Sequence, residues 1–177
     1  AGLLLNFVHL RLKETKRRAH LEFLMYENFS HAEDREMTRR SQSGPIRVMV
    51  VDDVLDILQE LCIALEMMGF ETLSASSYQE AQALLNVAQC DKAAFLDVVV
   101  ADMRLGHVSG LLLLDDVKAL WPAGDGPVIL YWSGIYGEDV KQAALAQGAV
   151  AYLTKPGSIK DITECIMNSL KDRDRRR

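Results

Sequence analysis

From Ile46 onward the chain alternates short apolar runs with longer stretches in which apolar residues recur every three or four positions. Short β-branched runs bounded by turn residues indicate buried strands, and recurrence at three- and four-residue steps indicates helices. Strands are therefore predicted at Ile46 to Val51, Glu71 to Ala75, the run Val98, Val99, Val100, Ala101 that leads into Asp102, Val128 to Trp132, and Ala149 to Leu153. Between them, Leu55, Leu58, Leu61, Cys62, Leu65 and Met68 step along a helix that stops at Gly69. Ser77 and Glu80 have capping-box spacing ahead of a helix through Ala81, Leu84, Leu85 and Val87. Further helices are expected from about Ser109 to Leu120, Glu138 to Ala146 and Ile159 to Leu170.

Strands alternating with helices in this way imply a parallel sheet covered on both faces and joined by right-handed crossovers. The fold class expected is α/β, a doubly wound five-stranded parallel sheet in the flavodoxin-like order 2-1-3-4-5, whose ligands bind beyond the carboxyl ends of the strands. An extra N-terminal helix precedes it. Residues 3–40 lack Gly and Pro and carry Leu3, Phe7, Leu10, Leu21 and Leu24 at helical steps, and the same seam by heptads meets Glu14, Arg17 and Asn28. That helix either forms a homodimer or packs on its own domain. The domains expected are a helical extension and linker at 1–43, a globular domain at 44–171 and a solvated basic tail at 172–177.

Composition changes the picture in three places. The 177 residues are 49% hydrophobic, enough for a core without disulfides or metal. Cys62, Cys90 and Cys165 form no CxxC and have no His at ligand spacing, which suits reduced thiols in the cytoplasm. The apolar patch Leu3 to Leu10 is far shorter than the roughly 18 residues that span a bilayer, so no membrane partner is expected. Net charge is −5, and residues 44–170 carry 7 basic against 17 acidic side chains. Phosphate contacts need a basic face, so no nucleic-acid partner is expected of the globular part.

The candidate chemistry lies at the strand ends. The first strand ends in Asp52 and Asp53, the third in Asp102, the fourth in Ser133 and Gly134, and the fifth in Thr154, Lys155 and Pro156. Each residue alone could be a helix cap or a turn former. Together they bring three carboxylates, a hydroxyl and an ammonium to one rim. Clustered carboxylates repel unless a cation intervenes, and a few carboxylates with water and phosphate oxygens suit Mg²⁺. A carboxylate beside Mg²⁺ and Lys can attack phosphorus, because both cations offset charge on the transferring oxygens. Ser133 could then donate to a phosphoryl oxygen.

VVDD at 50–53, DMRLGHVSG at 102–110, YWSG at 131–134 and YLTKP at 152–156, with 22 residues from Ser133 to Lys155, resemble the receiver domains of bacterial two-component response regulators over Ile46 to Leu170. The resemblance implies that Asp102 is the phosphoacceptor and that Asp52, Asp53 and Asp102 hold Mg²⁺ together with the Arg104 main-chain carbonyl. It implies further that Lys155 binds the phosphoryl group, that Ser133 is the switch hydroxyl and that Tyr152 is the switch aromatic, turning inward when Ser133 moves onto the phosphoryl group. A histidine kinase or histidine phosphotransfer protein is the implied donor, and a protein target reads the surface of the fourth helix, fifth strand and fifth helix. Gly106 stands where many receivers have Pro, which suggests a mobile loop.

Two other readings compete with a stand-alone receiver. One is the receiver segment of a hybrid histidine kinase. Ser30-His31 faintly resembles the histidine box of sensor kinases, but the Arg-Thr-Pro that should follow is absent. The other is a Mg-dependent phosphatase with an Asp nucleophile, which usually has a second Asp two residues on, where this chain has Arg104. The expected protein is therefore a phosphorelay module without a separate catalytic output.

Overall fold

Two strands carry the centre of the domain because their sequences are apolar on both faces. In β1 (Arg47–Val51) every residue after Arg47 is buried, and β3 (Val98–Ala101) is buried throughout, as expected for strands covered on either side. The computed structural model describes residues 39–40, 44–91 and 95–175. The long N-terminal helix, its heptad seam and Ser30-His31 lie outside them.

The remaining elements follow in alternation: α1 (Leu55–Met67), β2 (Glu71–Ala75), α2 (Tyr78–Cys90), α3 (Leu112–Leu120), β4 (Val128–Ser133), α4 (Glu138–Ala146), β5 (Ala151–Thr154) and α5 (Ile159–Arg175). The five strands form one parallel sheet in the order β2-β1-β3-β4-β5, which is the doubly wound order expected. One side of its core joins Met49, Val51, Val99, Ala101, Ile129 and Tyr131 to Ala81 and Leu85 of α2 and Leu113 and Leu114 of α3. Ser77 caps α2 as expected, its Oγ accepting from the Glu80 amide at 3.3 Å. The Glu80 carboxylate returns to Ser76, accepting from its amide and hydroxyl at 2.7 and 2.9 Å.

Three expectations are corrected. Arg39–Arg40, expected at the end of a helix, pairs antiparallel with Gly44–Pro45; Gly44 at φ +88 takes the left-handed conformation that such a return needs. The helix expected from Ser109 starts at Leu112, because Val108–Ser109 pairs with Arg104–Leu105 in a short hairpin. Finally, α5 continues to Arg175, so most of the expected solvated tail is helix. Arg173 is buried there, and its guanidinium donates to the carboxylate and the carbonyl of Asp97 at 2.9 and 3.2 Å. A run of charges does not reveal which member finds a partner 76 residues away.

Candidate functional site: an acidic cluster at the carboxyl edge

Strand register sets the site. Val51 is level with Ala101, and Ala101 with Tyr131, so Asp52 and Asp102 leave the sheet side by side. Their amides still belong to it, donating to the carbonyls of Ala75 and Val51 at 3.1 and 2.9 Å. Ser133 lies one residue further along its strand and is level with Thr154, which puts Lys155 next at the rim. The Lys155 amide donates to the Ser133 carbonyl at 2.8 Å, and the Lys155–Pro156 bond is cis.

The side chains converge. One oxygen of Asp102 accepts from the Ser133 hydroxyl at 2.6 Å and from the Arg104 amide at 3.2 Å, and the other accepts from the Lys155 ammonium at 2.7 Å. Lys155 also donates to Asp52, whose second oxygen accepts from the Val54 amide at 2.9 Å. Asp53 is exposed and accepts from the Gly106 amide at 2.9 Å. Burial alone would raise the Asp102 carboxyl, but hydrogen bonds from Lys155 and Ser133, the Lys155 charge and the Arg104 amide outweigh it and hold it below its ordinary value. Asp102 is thus kept ionised at neutral pH.

Each of Asp52, Asp53 and Asp102 offers a carboxylate oxygen, and these oxygens lie within 4.8 Å of one another. Three hard anionic donors against the single ammonium of Lys155 fit a hard divalent cation. The Arg104 side chain is exposed. Tyr152 is buried and inward, its hydroxyl donating to the Ile135 carbonyl at 2.7 Å and its ring 6.5 Å from that of Tyr131. The family resemblance ties that inward position to a phosphorylated site. Here it accompanies a Ser133 hydroxyl bonded directly to Asp102.

One supporting glycine, Gly110, escapes a reading of the sequence. A Cβ on Gly110 would lie 2.1 Å from the Asp102 carbonyl, so only glycine lets the chain pass there. The Gly110 amide donates to Met103 O at 2.8 Å, and its carbonyl accepts from the buried Tyr131 hydroxyl at 3.0 Å. The available signal is a glycine closing the segment after Asp102. Gly106, which the sequence places in the same segment, turns the hairpin at φ +64 and supplies an N–H that proline lacks.

Comparison with known proteins gives a consistent answer. The family model described as the response regulator receiver domain matches residues 48–167. The phosphate regulon transcriptional regulatory protein PhoB of Pseudomonas aeruginosa is 32% identical over 115 residues, 65% of this chain and 47% of that protein. The response regulator protein PilR of the same organism is 31% identical over 128 residues, 72% of this chain and 27% of its own length. The chain therefore spans at most about half the length of these relatives. A crystal structure of a response regulator receiver domain protein from Clostridium thermocellum superposes with a TM-score of 0.64 at 29% identity, covering 73% of this chain and 97% of that one. Sheet order, acidic rim and matched segment agree: this chain belongs to the response regulator receiver domains, the phosphoaccepting modules of two-component signalling.

Proposed function

We propose that Asp102 is the residue that accepts the phosphoryl group, from a histidine kinase or histidine phosphotransfer protein. The observation that carries this reading is the pair of donors on one carboxylate: Lys155 on one oxygen and Ser133 on the other. An Asp102 oxygen bonds to phosphorus as the bond from phosphorus to the donor nitrogen breaks, and the electron pair leaves with the donor. The product is an acyl phosphate. Lys155 balances charge on the phosphoryl oxygens, while Ser133 hands them a hydrogen bond in place of the one it gives Asp102. Asp52, Asp53 and Asp102, with the Arg104 carbonyl, would hold Mg²⁺, which when bound neutralises further phosphoryl charge.

Ser133 and Tyr152 then report the event. Phosphorylation adds about −1.5 to −2 charge, drawing Ser133 further out and stabilising the buried Tyr152, so α4, β5 and α5 present one surface to a protein target. Residues 44 to 175 form the receiver, and residues 1–43 are an extension available for dimerisation. The three cysteines are free thiols, which favours the cytoplasm. No described helix is long and apolar enough to cross a membrane. The acidic receiver does not exclude a nucleic-acid partner for the whole protein, because PhoB of Pseudomonas aeruginosa is named a transcriptional regulatory protein and is about twice as long as its matched part.

Acetyl phosphate with Mg²⁺ tests the assignment. About one acid-stable phosphoryl group per chain is expected on the wild type, and none on Asp102→Asn. Uptake by Asp102→Asn at the wild-type rate sinks it. Steady release of phosphate from a simple monoester would instead favour the phosphatase reading, for which the exposed Arg104 offers no second acid.

A further inference from the structure

Lysine brings a problem to this site. Its four-carbon stem is flexible, and its ammonium prefers water, yet Lys155 is held with 13% of its side chain exposed, bridging Asp52 and Asp102. Its main chain is anchored twice, by the amide to Ser133 and by the Tyr136 hydroxyl, which donates to the Lys155 carbonyl at 2.6 Å. Neither anchor restrains the four methylenes.

We propose that Trp132 is the positioning residue for Lys155, its indole face acting as a wall that keeps the ammonium over the carboxylates. The ammonium lies 5.1 Å from the ring centroid, within the range of a cation–π contact. Register makes this contact possible: Trp132 is level with Leu153, two residues before Lys155, on the adjacent strand. Tyr131 and Ser133 are buried on either side, while Trp132 between them is half-buried. A Cβ on Gly157 would come within 3.0 Å of the indole nitrogen, so the absence of a side chain there admits it. That nitrogen is buried without a hydrogen-bond partner, so polar recognition through the N–H does not explain the tryptophan. What the ring offers is its face.

The inference rests on the phosphoacceptor reading for its consequence, and two measurements keep them separable. In the first, uptake from acetyl phosphate with Mg²⁺ is timed for wild type, Trp132→Phe and Trp132→Leu. Phe keeps a ring face and should stay within about threefold, while Leu should slow uptake by about tenfold, the size of a partly desolvated cation–π contact. In a Lys155→Met background the change to Leu should cost nothing more, which a general packing defect would not reproduce. Equal rates for Phe and Leu, or an undiminished penalty for Leu once Lys155→Met has removed the charge, overturn the proposal.

The second measurement leaves Trp132 in place and so does not depend on the Trp132 variants folding. Trp121→Phe removes the only other tryptophan, which packs on Gly126 near the opposite edge of the sheet. Emission from Trp132 should then change when Lys155→Met is introduced, with no phosphoryl donor present. Unchanged emission means no contact, and the inference falls. Changed emission in a chain that, with Lys155 intact, takes up no phosphoryl group leaves the contact standing and sinks the phosphoacceptor reading instead.

Discussion

The two edges of this sheet each pair aspartate with a cation, but they surround it with different amounts of negative charge. At the amino edge Asp97 and Arg173 are both buried, and the acid's needs are met from within. One of its oxygens accepts from Arg173 and the other from the Arg47 amide, while its carbonyl accepts from Arg173 and the Val128 amide. The Arg173 guanidinium meets Asp97 as a rigid planar fork, with the exposed Asp174 carboxylate 3.8 Å from its Nε. At the carboxyl edge three carboxylates cluster, and the ammonium of Lys155, a compact point charge, bridges two of them, Asp52 and Asp102. Clustered negative charge at the carboxyl edge favours a cation, whereas the buried Asp97–Arg173 pair is a clasp between α5 and the start of β3.

The clasp should therefore matter most to stability. Asp97→Ala strands the Arg173 guanidinium in the interior, and loss of one partner from a buried pair costs about 3–5 kcal/mol. Urea denaturation should show that loss, while phosphoryl uptake measured well below the unfolding transition stays near the wild-type rate. Arg173→Met strands the Asp97 carboxylate in turn and should also be destabilising, whereas Asp97→Ala combined with Arg173→Met should recover part of the loss. If Asp97→Ala were as stable as wild type, the contrast between the edges would collapse.

Asp52→Asn probes the other edge and should invert that outcome. The amide oxygen can still accept from Val54, and one of three mutually repelling charges is gone. We expect stability within about 1 kcal/mol of wild type and phosphoryl uptake slower by about 100-fold or more. Denaturation and acetyl phosphate kinetics on one preparation check both halves.

Acid should distinguish the edges more gently. The Asp102 carboxyl sits below its ordinary value in the fold, so the unfolded chain binds that proton first as pH drops. Its contribution is complete above the unfolded value near 4 and is lost as pH falls through the lower folded value. The denaturation midpoint of Asp102→Asn should consequently fall less steeply than that of wild type between about pH 5 and about pH 3.

What can be read from the chain follows the same division. Strand ends are legible because an apolar run halts at a polar residue: Asp52, Asp102, Ser133 and Thr154 halt runs, and Asp53 and Lys155 come directly after a residue that does. Local caps such as Ser77 and Glu80 are legible for a similar reason, since both partners lie within one turn. Arg173 escapes notice because its partner is set by packing across the domain. Gly110 escapes it because the need for glycine comes from backbone passing Asp102, which no pattern of side chains records. Trp132 reads as one more apolar strand residue until β5 brings Lys155 beside it.

The smallest effect expected separates backbone geometry from chemistry at Gly106. A Cβ there meets nothing within 4 Å, so Gly106→Ala is opposed only by φ +64, at about 1 kcal/mol. Alanine keeps the amide that donates to Asp53, so Mg²⁺ affinity should match wild type. Gly106→Pro cannot adopt that φ and has no N–H to donate, so Asp53 loses a fixed partner. Its stability should fall further than that of the alanine variant, and its affinity for Mg²⁺, titrated by calorimetry, should shift by a few-fold. Equal Mg²⁺ affinity in the proline and alanine variants would show that the hairpin amide shapes the loop and leaves Asp53 indifferent to it.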